Sequence, residues 1–140
     1  MRPTGLPAQL YAAYNRHDPT AAGHLYGAHA THDEIAQGGS RQGPEAIAEG
    51  LRHFFHWFPD AYGEPLTQIA DPSGRVAVTY RLTATLHEPM GAIAARHQPL
   101  SLRGVHVLHL ARNEIRGSED YWDVATFHRQ MKNTGTGETS

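Results

Sequence analysis

The feature of this 140-residue chain that most constrains its fold is a change of hydrophobic period at Pro59. Before Pro59, apolar residues recur at helical spacing and form one aromatic-rich stripe: Ile47, Leu51, Phe54, Phe55 and Phe58. This spacing predicts a helix over residues 44–58 that buries the stripe. After Pro59 the period becomes two, most clearly in "RVAVTYRLTATLH", which is typical of strands with one buried face.

Weaker signals complete the order of elements. The spacing of Leu6, Leu10 and Tyr14 predicts a first helix, and Asp18 is expected to cap a short second helix that starts at Pro19. The segment "AHATHDEIA" is expected to be extended and to lead into a glycine-rich loop, "QGGSRQG". Strands are then predicted at "EPLTQIAD", at residues 100–110 and at "IRGSEDYW", before a final helical turn or two in "DVATFHRQM".

Helices followed by a meandering sheet predict an α+β fold, in which the helices pack on one face of a curved antiparallel sheet. We expect a single domain over residues 1–132. The remaining residues, 133–140, have the composition of a disordered tail.

Composition limits the possible partners. The formal net charge is −2 and the 12 basic residues are scattered, so neither nucleic acid nor a membrane surface is expected as a partner. No stretch approaches the ~20 apolar residues of a membrane span, and the N-terminus has no signal-like run, which favours a soluble, cytoplasmic protein. The absence of cysteine excludes thiol catalysis and disulfides, whereas eleven histidines invite both acid–base and metal chemistry.

One histidine and one aspartate are predicted to meet across a hairpin. His106 lies in a row of leucines and therefore on the buried face of its strand, where it needs a polar partner. A three-residue loop at residues 112–114 places His106 opposite Asp120 in an antiparallel pair. A two-residue turn without a bulge would instead put the two side chains on opposite faces.

This register divides the acids near the C-terminus. Asp120, with Ser118 and Trp122, faces inward, whereas Glu119 faces outward and Asp123 reads as a helix N-cap. An aspartate in an apolar cavity has its charged form disfavoured, which raises its pKa toward the range useful for general acid–base catalysis. The alternative is a buried Asp–His hydrogen bond that only sets the sheet register.

No metal site is predicted. The pairs His29/His32 and His53/His56 have chelating spacing, but helical phase turns the second pair to solvent, and His106 and His109 point to opposite faces of one strand. Side chains that could contact a substrate are Tyr14, His32, Trp57, Arg81 and Trp122. Each also has a simpler interpretation as core, rim or surface.

Several segments together resemble a known family. "RQGPEAIAEGL", "FHWFPDAY", "RVAVTYRLTATLH" and "LSLRGVHVLHLARNEIRGSEDYWD" are similar to the SnoaL-like polyketide cyclases of the nuclear transport factor 2-like superfamily. The resemblance implies a cone-shaped, curved antiparallel sheet wrapped around a long helix, with N-terminal helices. It also implies a catalytic acid–base aspartate at Asp120, a histidine at His106, a cavity for a hydrophobic polycyclic carbonyl compound, and no cofactor. Homodimers are expected through the outer sheet face that carries Val105 and Val107.

Two departures from the family pattern keep other functions open. The loop "MGAIAARHQPL" lacks the Thr-Gly segment of many relatives, which leaves the substrate undetermined. "EDYWD" is also similar to limonene-epoxide-hydrolase-like members, but Arg81 is followed by Thr83 where those proteins have a second carboxylate, unless Asp33 or Asp60 replaces it. The leading interpretation is a cofactor-independent cyclase or isomerase of secondary metabolism. The alternatives are an epoxide hydrolase or dehydratase, and a non-catalytic binding or assembly module.

Overall fold

The computed structural model of the protein describes residues 4–132. Four helices pack against one face of a curved, unclosed sheet, as the sequence predicts. The predicted tail at 133–140 lies outside the described residues. The helices are α1 (Gly5–Asn15), α2 (Pro19–His24), α3 (Pro44–Trp57) and α4 (Val124–Lys132). None of the helices in the described range is long and apolar enough to cross a membrane.

The sheet has six strands: β1 (Tyr26–Glu34), β2 (Gly39–Gln42), β3 (Tyr62–Ala70), β4 (Arg75–Thr85), β5 (Pro99–Ala111) and β6 (Glu114–Trp122). Their order is β2-β1-β6-β5-β4-β3. The sequence predicts an antiparallel sheet, but one pair of neighbouring strands, β1 and β6, runs parallel. This pairing brings the N-terminal strand beside the last strand of the chain.

The helix predicted from the aromatic stripe is present. α3 starts with Pro44 in its first turn, after Gly43 in a left-handed conformation (φ 88°), and Phe58 caps its C-terminus. Ile47 and Phe58 are buried, whereas Leu51, Phe54 and Phe55 are half-buried. Leu51 and Phe54 line the cavity described below, and Phe55 stacks on His17. The second helix is also capped as predicted, since the Asp18 carboxylate accepts a hydrogen bond from the Ala21 N–H at 3.1 Å.

The glycine-rich segment is more ordered than predicted. Residues 39–42, expected in a loop, form β2 and pair antiparallel with the end of β1. All four residues of β2 are exposed, so neither face carries the apolar alternation by which a strand is recognised in a sequence.

The hairpin between β5 and β6 has a different loop from the one predicted, but it pairs the same two site residues. The turn has two residues, Arg112 and Asn113, both left-handed (φ 54° and 64°). A bulge then leaves Arg116 without a register partner on β5 and shifts the pairing of the two strands by one residue. The predicted three-residue loop is therefore wrong, whereas the predicted pairing of His106 with Asp120 is confirmed.

The hydrophobic core forms two clusters on the inner face of the sheet. One lies around Leu10, Val78 and Leu108, and the other around Phe58 and Leu100. At the end of the sheet, Asp123 caps α4 as predicted, because its carboxylate accepts a hydrogen bond from the Ala125 N–H at 3.0 Å. The two clusters leave a space between them, and this space is the candidate site.

Candidate active site

Asp120 is half-buried on the inner face of β6 and receives a hydrogen bond from another strand of the same sheet. The hydroxyl of Tyr80, two strands away on β4, donates to Asp120 Oδ1 at 2.7 Å. Tyr80 can reach across β5 because Gly104 lies opposite it, and a Cβ on Gly104 would overlap the Tyr80 hydroxyl. A glycine at this point of the strand therefore allows the hydrogen bond to form.

A second carboxylate lies beside Asp120. Glu34, the last residue of β1, is the register partner of Asp120 in the parallel β1–β6 pair. Trp122 Nε1 donates to Glu34 Oε1 at 2.9 Å, and His32 Nε2 lies 3.6 Å from Glu34 Oε2. The site thus contains two adjacent carboxyl groups rather than the single aspartate that the sequence indicated.

Burial dominates the electrostatics of Asp120. Loss of hydration, and next the charge of Glu34, raise the pKa of Asp120 to about 7. The hydrogen bond from Tyr80 and the proximity of His32 oppose this rise in pKa. A carboxyl group with a pKa near neutrality can both take and give a proton at physiological pH.

His106 lines the same cavity but does not hydrogen bond to Asp120, which corrects the expectation that the two would be partners. Its Nδ1 lies 3.5 Å from the Tyr11 hydroxyl, and its Nε2 is buried without a partner among the described residues. Burial lowers the pKa of His106 to about 3, so the ring is neutral at pH 7. The hydroxyl that holds Asp120 comes from Tyr80 instead.

His32 is fixed by a separate polar chain. His32 Nδ1 is hydrogen bonded to Ser118 Oγ at 2.7 Å, and Ser118 Oγ is hydrogen bonded to the Tyr26 hydroxyl at 2.8 Å. Its ring meets that of His106 edge-on, with the centroids 5.7 Å apart. Its Nε2 therefore remains directed toward Glu34.

The space above these groups is a cavity of about 810 Å³. This volume is in the range of pockets that enclose small organic ligands. Of the predicted substrate contacts, Tyr14, His32, Trp57 and Trp122 line the cavity. Arg81 does not, which corrects that prediction.

Arg81 lies on the outer face of β4. Its side chain is 47% exposed and its guanidinium is 3.9 Å from the carboxylate of Glu64 on β3. The inward residues of this strand are the apolar set that includes Val78 and Tyr80, so alternation directs Arg81 outward. Asp33 and Asp60 are also engaged elsewhere, with the Ser40 hydroxyl and the Thr85 N–H respectively.

Comparison with known proteins identifies the architecture. The profile of the SnoaL-like polyketide cyclase family matches residues 6–131. The chain belongs to this family. No curated protein matches the sequence.

Solved structures share the fold of this SnoaL-like protein at low identity. A candidate polyketide cyclase from Xanthomonas campestris pv. campestris is 21% identical, with a TM-score of 0.79 over 91% of this chain and 94% of the other. A candidate SnoaL-like polyketide cyclase from Jannaschia sp. CCS1 is 12% identical, with a TM-score of 0.81 over 95% and 91%. A protein with a ketosteroid isomerase-like fold from Catenulispora acidiphila DSM 44928, in complex with trimethylamine, is 16% identical, with a TM-score of 0.80 over 97% of this chain and 100% of the other.

The loop "MGAIAARHQPL", residues 90–100, borders the cavity of this SnoaL-like protein. Met90 contributes to the cavity wall. The fully buried Gln98 anchors the end of the loop, because its amide donates to the carbonyls of Ala94 and Met131, both at 2.9 Å. The loop is therefore held against α4 by a side-chain amide.

The described residues contain one group that could surround a metal ion. Donor atoms of His32, Glu34 and Asp120 all lie within 4.8 Å of one another. The pairs suggested by spacing do not act as pairs. His32 belongs to this group but His29 is exposed, His53 is exposed beside Glu49, and His109 is bonded to Glu119 on the outer face. The same cluster brings the carboxyl groups of Glu34 and Asp120 close to each other.

Sequence reasoning missed two functional candidates, Glu34 and Tyr80. Glu34 follows His32 by two residues in an extended segment, so both side chains lie on one face, and that alternation was available as a signal. Tyr80 lies in the inward row of β4, but its contact with Asp120 depends on the gap at Gly104. Pairing of β1 with β6 is a long-range contact that alternation does not predict.

Proposed function

We propose that this SnoaL-like protein is an acid–base enzyme that acts, without a metal or organic cofactor, on a hydrophobic ketone. The proposal rests on the position and the pKa of Asp120. It faces an apolar cavity, is held by a tyrosine hydroxyl, and has its pKa raised to about 7. A cyclisation or an isomerisation of a polycyclic carbonyl compound fits this arrangement, as the family name suggests.

In the proposed reaction, Asp120 removes a proton from a carbon next to the substrate carbonyl. The C–H bond breaks, an O–H bond forms on the carboxylate, and the electron pair moves to give an enolate. In an isomerisation the proton returns to another carbon. In a cyclisation the enolate carbon attacks a second carbonyl, and the resulting alkoxide takes the proton from Asp120.

His106 serves this reaction as a neutral positioning residue. With its proton on Nδ1, His106 donates to the Tyr11 oxygen, which leaves the Tyr11 hydroxyl hydrogen for the substrate. Burial and the Asp120 charge hold the pKa of Tyr11 well above its ordinary value, so Tyr11 stays protonated. Its hydroxyl, which lines the cavity, can then donate to the developing enolate oxygen.

The test is solvent-deuterium exchange into enolisable aryl ketones such as 1-tetralone, followed by NMR. Asp120→Asn should abolish exchange while the circular dichroism spectrum is unchanged. The matched control is Asp33→Asn, an exposed carboxylate on β1 that is bonded to Ser40 and should leave exchange intact. Full activity of the Asp120→Asn variant would disprove the assignment.

The other interpretations make different predictions in the same assay. Epoxide opening by a carboxylate–arginine–carboxylate set lacks its arginine, because Arg81 faces outward. A purely binding role would be favoured by a filled cavity or by Asp120 exposed to bulk solvent, and the described residues show neither. Tight ketone binding by the wild-type protein without exchange would favour the binding role.

A further inference from the structure

We propose that Glu34 is a second catalytic residue, and that Glu34 and Asp120 form a carboxyl pair that holds one proton between them. The inference rests on the proposed acid–base function and adds to it the group that supplies the acid. Asp120 alone would have to remove one proton and deliver another in sequence, whereas a pair provides a base and an acid at the same time.

The strand pairing brings the two side chains together. Glu34 and Asp120 are Cα partners on adjacent parallel strands and point to the same face, into the cavity. A backbone hydrogen bond from the Ile35 N–H to the Asp120 carbonyl, at 3.1 Å, holds the end of β1 in this register. The sheet therefore fixes the spacing between the two carboxyl groups.

Each carboxyl group is oriented by one aromatic donor. The Tyr80 hydroxyl donates to Asp120 Oδ1, and Trp122 Nε1 donates to Glu34 Oε1. The second oxygen of Glu34 lies 3.6 Å from His32 Nε2, which is beyond hydrogen-bond distance, so this oxygen and the second oxygen of Asp120 can hold a proton or contact a substrate. These two donors come from different strands, so the two carboxyl groups are held independently.

No strong cation neutralises the pair. Among the ion pairs of residues 4–132, Glu34 is joined only to His32, at 3.6 Å, and Asp120 to none. Two carboxylates this close in a half-buried site cannot both ionise without a large electrostatic cost. A proton shared between them removes that cost, and the raised pKa of Asp120 is consistent with such sharing.

The pair defines the class of substrate. One carboxyl group must face an acidic C–H bond while the other faces the oxygen of the adjacent carbonyl, so the substrate is an enolisable ketone. When the shared proton lies on Glu34, Asp120 takes the carbon-bound proton as Glu34 gives its proton to the carbonyl oxygen. The C–H bond breaks, an O–H bond forms on the substrate, and the product is a neutral enol. The reverse transfers return both carboxyl groups to their starting states.

Glu34→Gln is the decisive variant, because glutamine keeps an oxygen that accepts from Trp122 but cannot give up a carboxyl proton. Exchange into 1-tetralone should fall by roughly 10²–10³-fold, within the range for loss of one acid–base group. The matched control is Glu119→Gln, next to Asp120 but bonded to His109 on the outer face, which should stay within about twofold of wild type.

A second measurement needs no substrate. Carbon-13 NMR of the carboxyl groups follows the titration of Asp120 directly, in the wild-type protein and in the variant. In Glu34→Gln the pKa of Asp120 should fall by about one unit or more, because a neighbouring negative charge is gone. An unchanged pKa of Asp120 in this variant would overturn the proposal.

The outcomes separate this inference from the proposed function. An active Asp120→Asn variant removes both. An inactive Asp120→Asn variant beside a fully active Glu34→Gln variant removes the carboxyl pair and leaves Asp120 as the sole acid–base group. Loss of exchange after EDTA dialysis, restored by Mn²⁺ or Zn²⁺, would show that the two groups bind a metal ion together with His32 and would also overturn the proposal.

Discussion

Replacing Tyr80 with phenylalanine removes the hydrogen bond to Asp120 and leaves the aromatic ring in the core. The donor and acceptor oxygens are 2.7 Å apart, a short distance typical of a hydroxyl bound to an ionised carboxylate. Such a bond contributes about 1.5–3 kcal/mol when the acceptor is charged and about 1 kcal/mol when it is neutral. The bond therefore favours the ionised form of Asp120 by roughly 1–1.5 kcal/mol.

This difference in free energy sets the expected shift in the pKa of Asp120. Since one pKa unit corresponds to about 1.4 kcal/mol, Tyr80→Phe should raise the pKa of Asp120 by roughly one unit from its value of about 7. The pKa of Asp120 in the folded protein already exceeds its unfolded value, so folding binds a proton. Stability due to this group is full at low pH and is lost as the pH rises toward the folded pKa.

Tyr80→Phe should therefore destabilise the protein more at high pH than at low pH. At pH 5 Asp120 is protonated in both proteins, and the variant should lose only the weaker neutral hydrogen bond. At pH 9 Asp120 is ionised, so the loss in free energy of unfolding should be larger by about 1–1.5 kcal/mol. Urea denaturation at the two pH values and carbon-13 NMR titration of Asp120 measure the two quantities independently.

The control for Tyr80→Phe lies on the other side of the same sheet. Tyr121 donates to Glu119 at 3.2 Å on the outer face, so Tyr121→Phe removes a tyrosine–carboxylate bond without touching the cavity. It should leave the pKa of Asp120 unchanged. The reasoning is refuted if Tyr80→Phe lowers the pKa of Asp120 or leaves it unchanged, or if it destabilises the protein equally at pH 5 and pH 9.

Two further predictions concern other parts of the sheet. The pKa of His106 is lowered to about 3, so its contribution to stability is present above pH 6.5 and is lost as the pH falls toward 3, at up to roughly 1.4 kcal/mol per pH unit. His106→Leu should therefore be less acid-sensitive than wild type in urea denaturation, and equal sensitivity would contradict the assigned burial. The expected homodimer would use the outer face, where the exposed Tyr121 is the register partner of Val105. Val105→Asp should then give a monomer by light scattering, and an unchanged mass would place the interface elsewhere.

The sequence predicted the helices and strands correctly where the period of apolar residues identifies the element and its buried face. The stripe on α3 and the alternation in β4 and β5 predicted the layers correctly. The pairing of His106 with Asp120 was also correct, although the loop was not. A two-residue turn followed by a bulge at Arg116 shifts the register by the same amount as the three-residue loop would have done.

What the sequence did not reveal depends on contacts between distant strands. β2 has no buried face, so no apolar pattern marks it. Glu34 becomes part of the site only because β1 lies parallel to β6, and such pairing follows from three-dimensional packing rather than from local propensity. The outward position of Arg81 could have been predicted from the sequence, because the alternation along its own strand directs its side chain away from the cavity.

The parallel pairing of β1 with β6 also bears on how the protein folds. Trp122 and Glu34 are 88 positions apart in the chain, so their contact closes most of the polypeptide into one loop. The entropic cost of closing a loop grows with its length, and the pairing of β1 with β6 has no hairpin of its own to nucleate it. The helices and the β5–β6 hairpin can form from local contacts, but the two carboxyl groups meet only when the ends of the domain have joined. Catalytic competence would then mark the completion of folding, and a partly folded chain would carry Asp120 without Glu34 beside it.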